Sequence, residues 1–289
     1  MKTFILNFTP TGMIPTKELN PDTPISVNEI IESSLEAAEI GASMIHLHAR
    51  DESTGMPTVS ADVYDRIISG IRKHNKEVIL CASLSGRNVS DPKQRANPLL
   101  LDGESKPDMG SLTLSSLNFI KQASLNAPDT IHYLAQAMKE RLIAPEMEVF
   151  DLGMANYITT LRKKNLLPPK IYANVILGNI FGAQSTFSNI SAIIANIPDN
   201  VRLSFGGIGL FQTKSIAYGL ASGFGVRVGL EDNIWFDSER TIPATNLNLL
   251  KRVINIAHLL ELEPENPSSV RASLGLASGY GEYGLLQSY

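Results

Sequence analysis

The segment Ser26–Ala49, SVNEIIESSLEAAEIGASMIHLHA, contains a helical pattern and a strand pattern in immediate succession. Apolar residues recur at helical spacing over Asn28–Ile40, and Ser26 and Glu29 have the spacing of a capping box at its start. The glycine that follows this run is the residue that most readily ends a helix. Met44–Ala49 then has the apolar content of a buried strand. The segment therefore predicts one unit of an α/β fold.

The same alternation of strand and helix patterns recurs along the chain, and it divides the sequence into eight units. Eight units in 289 residues favour a closed (β/α)8 TIM barrel of one domain, residues 1–289, over an open doubly wound sheet. The fourth unit is the least regular, because Pro98–Asp108 reads as a long loop. The predicted strands are Phe4–Thr9, Met44–Ala49, Val78–Ser83, Gly110–Leu114, Glu146–Phe150, Ile171–Leu177, Val201–Phe205 and Gly225–Gly229. The other predicted helices are Asp62–His74, Pro128–Arg141, Met154–Asn165, Thr186–Asn196, Thr213–Ser222 and Thr245–Leu260.

The composition argues against several classes of partner. The net charge is −4, and acidic and basic residues are interspersed, so we expect no nucleic-acid partner and no membrane partner. Cys81 is the one cysteine, which fits a reducing compartment. The short apolar start, MKTFIL, is too brief for a signal peptide or a membrane span. We expect a cytoplasmic protein.

The end of the second predicted strand carries two histidines, in the order His46-Leu47-His48. Strand side chains alternate between faces, so both imidazoles point into the mouth of the predicted barrel. Two imidazoles on one face can reach a single metal ion at about 2.0–2.1 Å. The alternative interpretation is a pair of hydrogen-bonded polar residues at the rim.

A catalytic zinc site needs a third protein ligand and an open position. On the eighth predicted strand Arg227, Gly229 and Glu231 share a face, and we expect Gly229 to leave room for a ligand and Glu231 to meet the two histidines. The pair Glu231-Asp232 could equally be an ordinary acidic turn. The remaining histidines are poor candidates, because all fall in predicted helices: His74, His132 and His258.

Three further strand ends carry polar residues or glycines. Glu146 and Glu148 share a face of the fifth strand, and they either bind Arg227 or substrate or remain exposed at the rim. The turn Cys81–Arg87 has the hydroxyls and glycine of an anion-binding site, and the loop Phe205–Gly209 is a candidate site for a ligand diphosphate.

Together these pieces resemble the β-keto acid cleavage enzyme family, typified by the 3-keto-5-aminohexanoate cleavage enzyme. The resemblance covers most of the chain, and the order and spacing of the strings make it specific. The strings are Thr11-Gly12, His46-Leu47-His48, Pro107-Asp108-Met109, Leu117-Asn118-Phe119, Pro145-Glu146-Met147-Glu148 and Arg227-Val228-Gly229-Leu230-Glu231-Asp232-Asn233.

The resemblance implies a TIM barrel, a homotetramer and a catalytic Zn²⁺ ion. It places the zinc on His46, His48 and Glu231, and it makes Asp232 the base that deprotonates the substrate with the help of Arg227. It implies a retro-Claisen exchange, in which a β-keto acid and acetyl-CoA give acetoacetate and a new acyl-CoA. It also implies that Glu148 belongs to the polar network around that base and that Ser83 contacts the substrate.

The expected substrate contacts also include Ser111 on the fourth strand, Arg87 and Ile14. Members of the family that accept an amino-substituted substrate have an acidic residue where Ile14 stands. The sequence Ser83-Leu84-Ser85-Gly86 also departs from the usual Ser-Thr-Gly-Gly and continues into Arg87. These departures predict a neutral or anionic β-keto acid.

Two rival interpretations stay open at the level of sequence. A zinc-dependent barrel hydrolase would use the same ion to activate water, although barrels of that type carry His-x-His on the first strand. A barrel that only binds metal or ligand would leave Arg227 and Asp232 unexplained.

Overall fold

The computed structural model describes residues 2–289, and its centre is a closed barrel of eight parallel strands. We number the barrel strands β1 to β8 in chain order. Each pairs with its neighbours in that order, and β8 pairs with β1 to close the ring. The predicted (β/α)8 TIM barrel is therefore confirmed. The strands are β1 Leu6–Phe8, β2 Met44–Leu47, β3 Ile79–Ala82, β4 Met109–Thr113, β5 Ala144–Val149, β6 Ile171–Leu177, β7 Val201–Gly207 and β8 Gly225–Val228.

The helices follow the strands and surround the barrel. The first of them has the predicted capping box: the Glu29 backbone N–H donates to Ser26 Oγ at 3.2 Å, and the Ser26 backbone N–H donates to Glu29 Oε2 at 2.9 Å. Gly41 ends this helix in the left-handed region at φ 118°. The helices are α1 Val27–Ile40, α2 Ala61–Arg72, α3 Pro128–Glu140, α4 Leu152–Lys163, α5 Phe187–Asn196, α6 Phe211–Ala221, α7 Asn246–Leu259 and α8 Pro267–Leu274.

Two parts of the predicted pattern are wrong in detail. The first strand is divided, because Lys2–Phe4 leaves the barrel and pairs with Leu262–Pro264 in a separate parallel sheet. The segment Pro98–Asp108 is not a simple loop, since it contains short 3-10 helices. The segment after β3, where no helix is predicted, forms a one-turn helix, Pro92–Arg95.

Four other short strands form two antiparallel hairpins outside the barrel: Ala49–Arg50 with Pro57–Thr58, and Leu117–Asn118 with Ala123–Ser124.

Apolar side chains form two clusters between barrel and helices and a third inside the barrel. The third cluster joins Met44, Met109 and Tyr172 of the strands to Val270 and Leu274 of α8. The C-terminal segment therefore fills the end of the barrel at which the strands begin. The polar groups described below lie at the opposite end, where the strands finish. Within residues 2–289, no helix has the length and apolar content needed to cross a membrane.

Asp108, in the string Pro107-Asp108-Met109, has a structural role at the end of the barrel opposite the candidate site. Its fully buried carboxylate accepts from Arg271 at 2.8 and 2.9 Å and from Arg72 at 3.1 Å. It also accepts from the backbone N–H groups of Leu80 and Gly284, at 3.0 and 3.2 Å. One carboxylate thus ties the start of the barrel strands to the C-terminal segment.

Candidate active site

A buried hydrogen-bonded layer crosses the barrel below its mouth. Glu146 Oε2 lies 2.5 Å from His46 Nδ1, and Glu146 Oε1 accepts from the side-chain amides of Asn7 at 2.5 Å and Asn174 at 2.7 Å. Burial would raise the pKa of Glu146, but His46 and Arg227 outweigh it and hold the pKa at about 2. The ionised carboxylate fixes the proton of His46 on Nδ1, so that Nε2 faces the other histidine.

The two histidines and Glu231 form a compact group at the barrel mouth. His46 Nε2 and His48 Nε2 lie 3.3 Å apart, and Glu231 Oε1 lies 3.2 Å from His48 Nε2 and 4.0 Å from His46 Nε2. The three ligand atoms all lie within 4.8 Å of one another. The structure thus brings together the three residues that the sequence predicted as ligands.

Two observations indicate that this group fits a divalent metal ion. Two imidazoles and a carboxylate are a donor set that zinc takes in catalytic sites. In addition, Glu231 Oε2 is buried and has no hydrogen-bond partner among the described residues, which is costly unless a cation or ligand meets it. Burial lowers the pKa of His48, whereas for His46 Glu146 and Glu231 outweigh burial and raise the pKa to about 9. A metal ion would therefore compete with a proton for His46.

A second group of potential ligands, His46, Cys81 and Glu146, lies deeper in the barrel. Burial raises the pKa of the Cys81 thiol well above its usual value, and Glu146 raises it further. A protonated thiol is a poor metal ligand. Glu146 is also already bonded to its neighbours, so this group is a structural layer.

Arg227 joins three acidic residues beside the histidines. Its Nε donates to Asp232 Oδ2 at 2.9 Å, its Nη2 donates to Glu231 Oε1 at 2.8 Å, and its Nη1 lies 3.5 Å from Glu148 Oε1. Glu148 also accepts from Thr113 Oγ1 at 2.6 Å. Of the alternatives for the β5 acids, Glu148 makes the contact with Arg227, whereas Glu146 binds His46, a partner that the sequence did not predict.

The adjacent acids Glu231 and Asp232 have opposite electrostatic environments. Burial would raise the pKa of Glu231, but His48 and Arg227 outweigh it and place the pKa well below its usual value. Burial raises the pKa of Asp232, Arg227 lowers it and Glu231 raises it, and the net direction is upward. Glu231 is thus suited to remain an anionic ligand, and Asp232 is suited to accept a proton.

Glycines set the backbone path around Glu231, and here one prediction is wrong. β8 ends at Val228, and Gly229 adopts φ 155°, where a Cβ would lie 2.0 Å from the Thr9 carbonyl oxygen. Gly229 therefore allows close approach of the first strand and does not make room for a ligand. Gly12, at φ 68°, has the same role beside Glu231 Cγ, which would lie 2.5 Å from a Cβ.

Arg50 is a buried residue that the sequence interpretation missed. Its guanidinium donates to the carbonyl oxygens of Gly12 at 2.6 Å, Pro15 at 2.9 Å and Gly55 at 2.8 Å. It thereby holds the loop after β1 against the site. Its alternation with His46 and His48, every second residue, was the available sequence signal.

A cavity of about 460 Å³ opens above the group formed by His46, His48 and Glu231. It is lined by His48, Glu231 and Asp232, and also by three of the predicted substrate contacts, Ser83, Ile14 and Arg87. Its other lining residues include Arg227, Glu148, Phe119, Phe150, Phe211 and Trp235.

Two predicted contact sites, Ser111 and the Phe205–Gly209 loop, agree only in part with the lining of this cavity. Ser111 is not among the described residues that line it, and its Oγ accepts from the Leu84 backbone N–H at 2.9 Å. In the Phe205–Gly209 loop Gly209 lines the cavity, whereas Gly206 is pressed against Arg227, whose Cβ would lie 3.1 Å from a Cβ at that position. The glycine thus makes space for the arginine.

Fold and site together define a (β/α)8-barrel enzyme whose polar groups gather at the carboxyl ends of the strands. The family described as beta-keto acid cleavage enzyme matches residues 3–276. The chain belongs to this family and is an acyltransferase.

Characterised relatives resemble this chain over nearly their full length. The 3-oxoadipate:acetyl-CoA acetyltransferase of Cupriavidus necator is 31% identical, with 95% of each chain covered. The 3-keto-5-aminohexanoate cleavage enzyme of Acetoanaerobium sticklandii is 29% identical, with 96% of this chain and 100% of that one covered. The 3-dehydrocarnitine:acetyl-CoA trimethylamine transferase of Rhizobium meliloti is 27% identical, with 92% and 94% covered.

Solved structures agree in fold. A ternary complex of ObcA with a C4-CoA adduct and oxalate has a TM-score of 0.71 at 21% identity, covering 89% of this chain and 68% of that one. The apo structure of ObcA has a TM-score of 0.69 at 20% identity, covering 88% and 66%. This chain thus spans about two thirds of the length of ObcA, and the likeness shows the barrel alone.

Proposed function

We propose that this protein exchanges acyl groups between a β-keto acid and acetyl-CoA, giving acetoacetate and a new acyl-CoA. The observation that carries the proposal is the placement of Asp232. This buried acid with a raised pKa adjoins the His46, His48 and Glu231 group in the wall of one cavity. The names of the characterised relatives support acetyl-CoA as the second substrate.

The proposed metal is Zn²⁺, held by His46, His48 and Glu231. When bound, zinc would supply positive charge that polarises the keto acid and stabilises the negative charge developing after proton loss. Glu146 supports the ligand set from behind through its bond to His46 Nδ1, at 2.5 Å.

Asp232 is the proposed base for the proton on C2, the carbon between the keto and carboxylate groups. A carboxylate is an ordinary weak base, with a reference pKa of about 3.9, so an upward shift brings it nearer to the acidity of the activated substrate. Arg227 holds Oδ2 of this carboxylate through Nε at 2.9 Å, whereas Nη2 lies 3.5 Å from Oδ1. The better-held oxygen fixes the orientation, and the other remains open to accept a proton.

The exchange then balances without an external oxidant or water. The C2 carbanion attacks the acetyl carbonyl and releases CoA as a thiolate, which attacks the original keto carbon. Cleavage of the bond between that carbon and C2 gives the new acyl-CoA and the acetoacetate carbanion. Asp232 returns its proton to this carbon, and Ser83, which lines the cavity, is a proposed contact to the substrate.

The test uses purified protein with Zn²⁺, [1-¹³C]acetyl-CoA and a panel of β-keto acids, with products identified by mass spectrometry and NMR. The proposal predicts a new CoA thioester and acetoacetate labelled at C3. Labelled acetate with free CoA would instead indicate the rival hydrolase. If zinc-loaded protein turns over no member of the panel by either route, the proposed function is refuted.

We also propose a cytoplasmic homotetramer, on the basis of the sequence resemblance and of the single, buried Cys81. Sedimentation equilibrium should give four times the chain mass. A monomer at micromolar concentration would contradict the proposal.

A further inference from the structure

Arg87 differs from the other arginines that contribute to the interior. Five arginines are fully buried, and all of them donate to carbonyl, amide or carboxylate oxygens: Arg50, Arg72, Arg95, Arg227 and Arg271. Arg87 is half-buried in the cavity wall, yet among residues 2–289 it has no salt bridge and no side-chain hydrogen bond. Its donors face the cavity side without a protein partner.

An aromatic ring holds this guanidinium in place. The Arg87 guanidinium carbon lies 3.4 Å from the centre of the Phe119 ring, and Phe119 meets Phe150 edge to face at 5.8 Å between centroids. Stacking on a ring stabilises the cation and fixes its plane. It leaves the N–H groups at the edge free, and these are the groups that bind a carboxylate through two parallel hydrogen bonds.

The surroundings leave Arg87 in need of a negative charge. Burial lowers its pKa, and the more distant Glu231, Glu148 and Asp232 only partly offset that effect. Those acids are held by Arg227 at 2.8, 3.5 and 2.9 Å respectively. A cation that is partly removed from water and has no paired anion favours an anionic ligand.

We infer that Arg87 is a specificity-determining residue that binds a second carboxylate, remote from the reacting end of the β-keto acid. The preferred substrates are then β-keto dicarboxylic acids. This inference rests on the proposed function, since it names the substrate class of the same cavity.

An anion at Arg87 could also come from the phosphates of CoA, and the position of the residue favours the keto acid. Arg87 lies in the turn that follows β3, four residues after Ser83, and the Phe119 ring on which it stacks contacts the buried Phe150. The other cavity cations without an acidic partner, Lys121 and Arg240, are exposed. Exposed cations at a rim suit the large solvated phosphates better than a half-buried one does.

The experiment compares two acids of equal length, 3-oxoadipate and 3-oxohexanoate, which differ in a terminal carboxylate. Wild-type protein, Arg87→Gln, Arg87→Lys and Arg240→Gln are assayed for kcat/KM with each acid and for the KM of acetyl-CoA. Arg87→Gln should lower kcat/KM for the dicarboxylate by about 10–100-fold, the range expected for lost charged hydrogen bonds. It should change the value for 3-oxohexanoate by less than about threefold. Arg87→Lys should recover part of the loss.

Each alternative gives a different result. Equal losses for both acids, or a loss confined to the KM of acetyl-CoA, would overturn the inference in favour of a structural or CoA-phosphate role. An equal change of the substrate ratio in Arg240→Gln would show a general field effect and would also overturn it. Calorimetric binding of the two acids without acetyl-CoA separates this inference from the proposed function. If nothing turns over but only the dicarboxylate binds, and binds through Arg87, the acyl exchange alone fails.

Discussion

The carboxylate of Glu146 on β5 accepts a hydrogen bond from Nδ1 of His46 on β2 at 2.5 Å, and both side chains are buried away from bulk water. The pair links two strands that are not neighbours in the barrel. Glu146 therefore orients His46, one of the three candidate metal ligands, although Glu146 itself would not touch the ion. A ligand-supporting carboxylate of this kind commonly contributes 10–100-fold, as an order of magnitude, to metal affinity.

The first prediction concerns this support. Glu146→Gln keeps the shape of the side chain but removes its charge, so we expect zinc affinity to fall by about 10–100-fold. Competition with a chromophoric chelator measures the change. Glu148→Gln is the matched control, because it alters the same strand on the side of Arg227 and should leave zinc affinity within about threefold. Equal losses in the two variants would contradict the assigned role.

Zinc affinity should also depend on pH. Glu146 and Glu231 raise the pKa of His46 to about 9, against the opposing effect of burial, so the metal-free protein carries a proton on this imidazole below that pH. Zinc binds only the neutral ring, and binding therefore becomes weaker as the pH falls, by up to about tenfold per unit. Calorimetry in buffers of different ionisation enthalpy should show about one proton released at pH 7. No proton release would be inconsistent with ligation by His46.

Substitutions of the adjacent acids Glu231 and Asp232, on the loop after β8, should affect metal binding and proton transfer separately. Glu231→Gln is expected to lose zinc and activity together, since it removes the anionic ligand. Asp232→Asn should keep zinc and lose rate by about 10²–10⁴-fold, because the amide lacks a basic lone pair. Elemental analysis and the exchange of C2 protons for deuterium measure the two properties. Wild-type deuterium exchange in Asp232→Asn would remove this residue from the role of base.

At the opposite end of the barrel, Asp108→Asn should affect stability. The loss of the charge leaves Arg72 and Arg271 buried without a counter-ion, at an expected cost of about 3–5 kcal/mol in the free energy of unfolding. Asp102→Asn, at an exposed pair with Arg141, is the control and should leave the free energy of unfolding close to that of the wild type, because solvent screens this pair. Urea denaturation gives both values.

The same carboxylate predicts a pH dependence of stability. Burial would raise the pKa of Asp108, but Arg271 and Arg72 outweigh it and lower the pKa. A depressed folded-state pKa contributes stability that is present above the unfolded value, about 3.9, and is lost as the pH falls toward the folded value. The acid limb of the unfolding free energy should therefore be shallower in Asp108→Asn. An unchanged limb would contradict this assignment.

Local pattern was sufficient to predict the eight barrel strands and to place His46 and His48 on one face of the second strand. The barrel that eight strand–helix units favour then brought the end of the eighth strand, with Glu231, near the histidines. Pattern was insufficient for contacts that depend on the exact positions of segments distant in sequence. The pairing of Lys2–Phe4 with Leu262–Pro264 and the bond from Glu146 to His46 depend on the closed ring. Gly229 was misread, since alternation assumes a continuing strand and its backbone leaves that conformation at φ 155°.

The last prediction concerns Ile14, which lines the cavity with 43% of its surface exposed. An apolar side chain gives a substrate ammonium group no counter-charge, so the wild-type protein should prefer neutral or anionic β-keto acids to 3-keto-5-aminohexanoate. Ile14→Glu should raise kcat/KM for the amine relative to 3-oxohexanoate by about tenfold, equivalent to about 1.4 kcal/mol. It should lower the relative value for 3-oxoadipate, because the new charge repels a second carboxylate.

Ile14→Gln is the control for this change, since it has the size and polarity of glutamate without the charge and should leave the ratio near that of wild type. The effect of Ile14→Glu should also weaken as salt is raised, because a partly exposed pair of charges is screened. A tenfold preference of the wild-type protein for the amine would refute the prediction. A ratio that responds equally to Gln and Glu would show that position 14 acts through shape, not through charge.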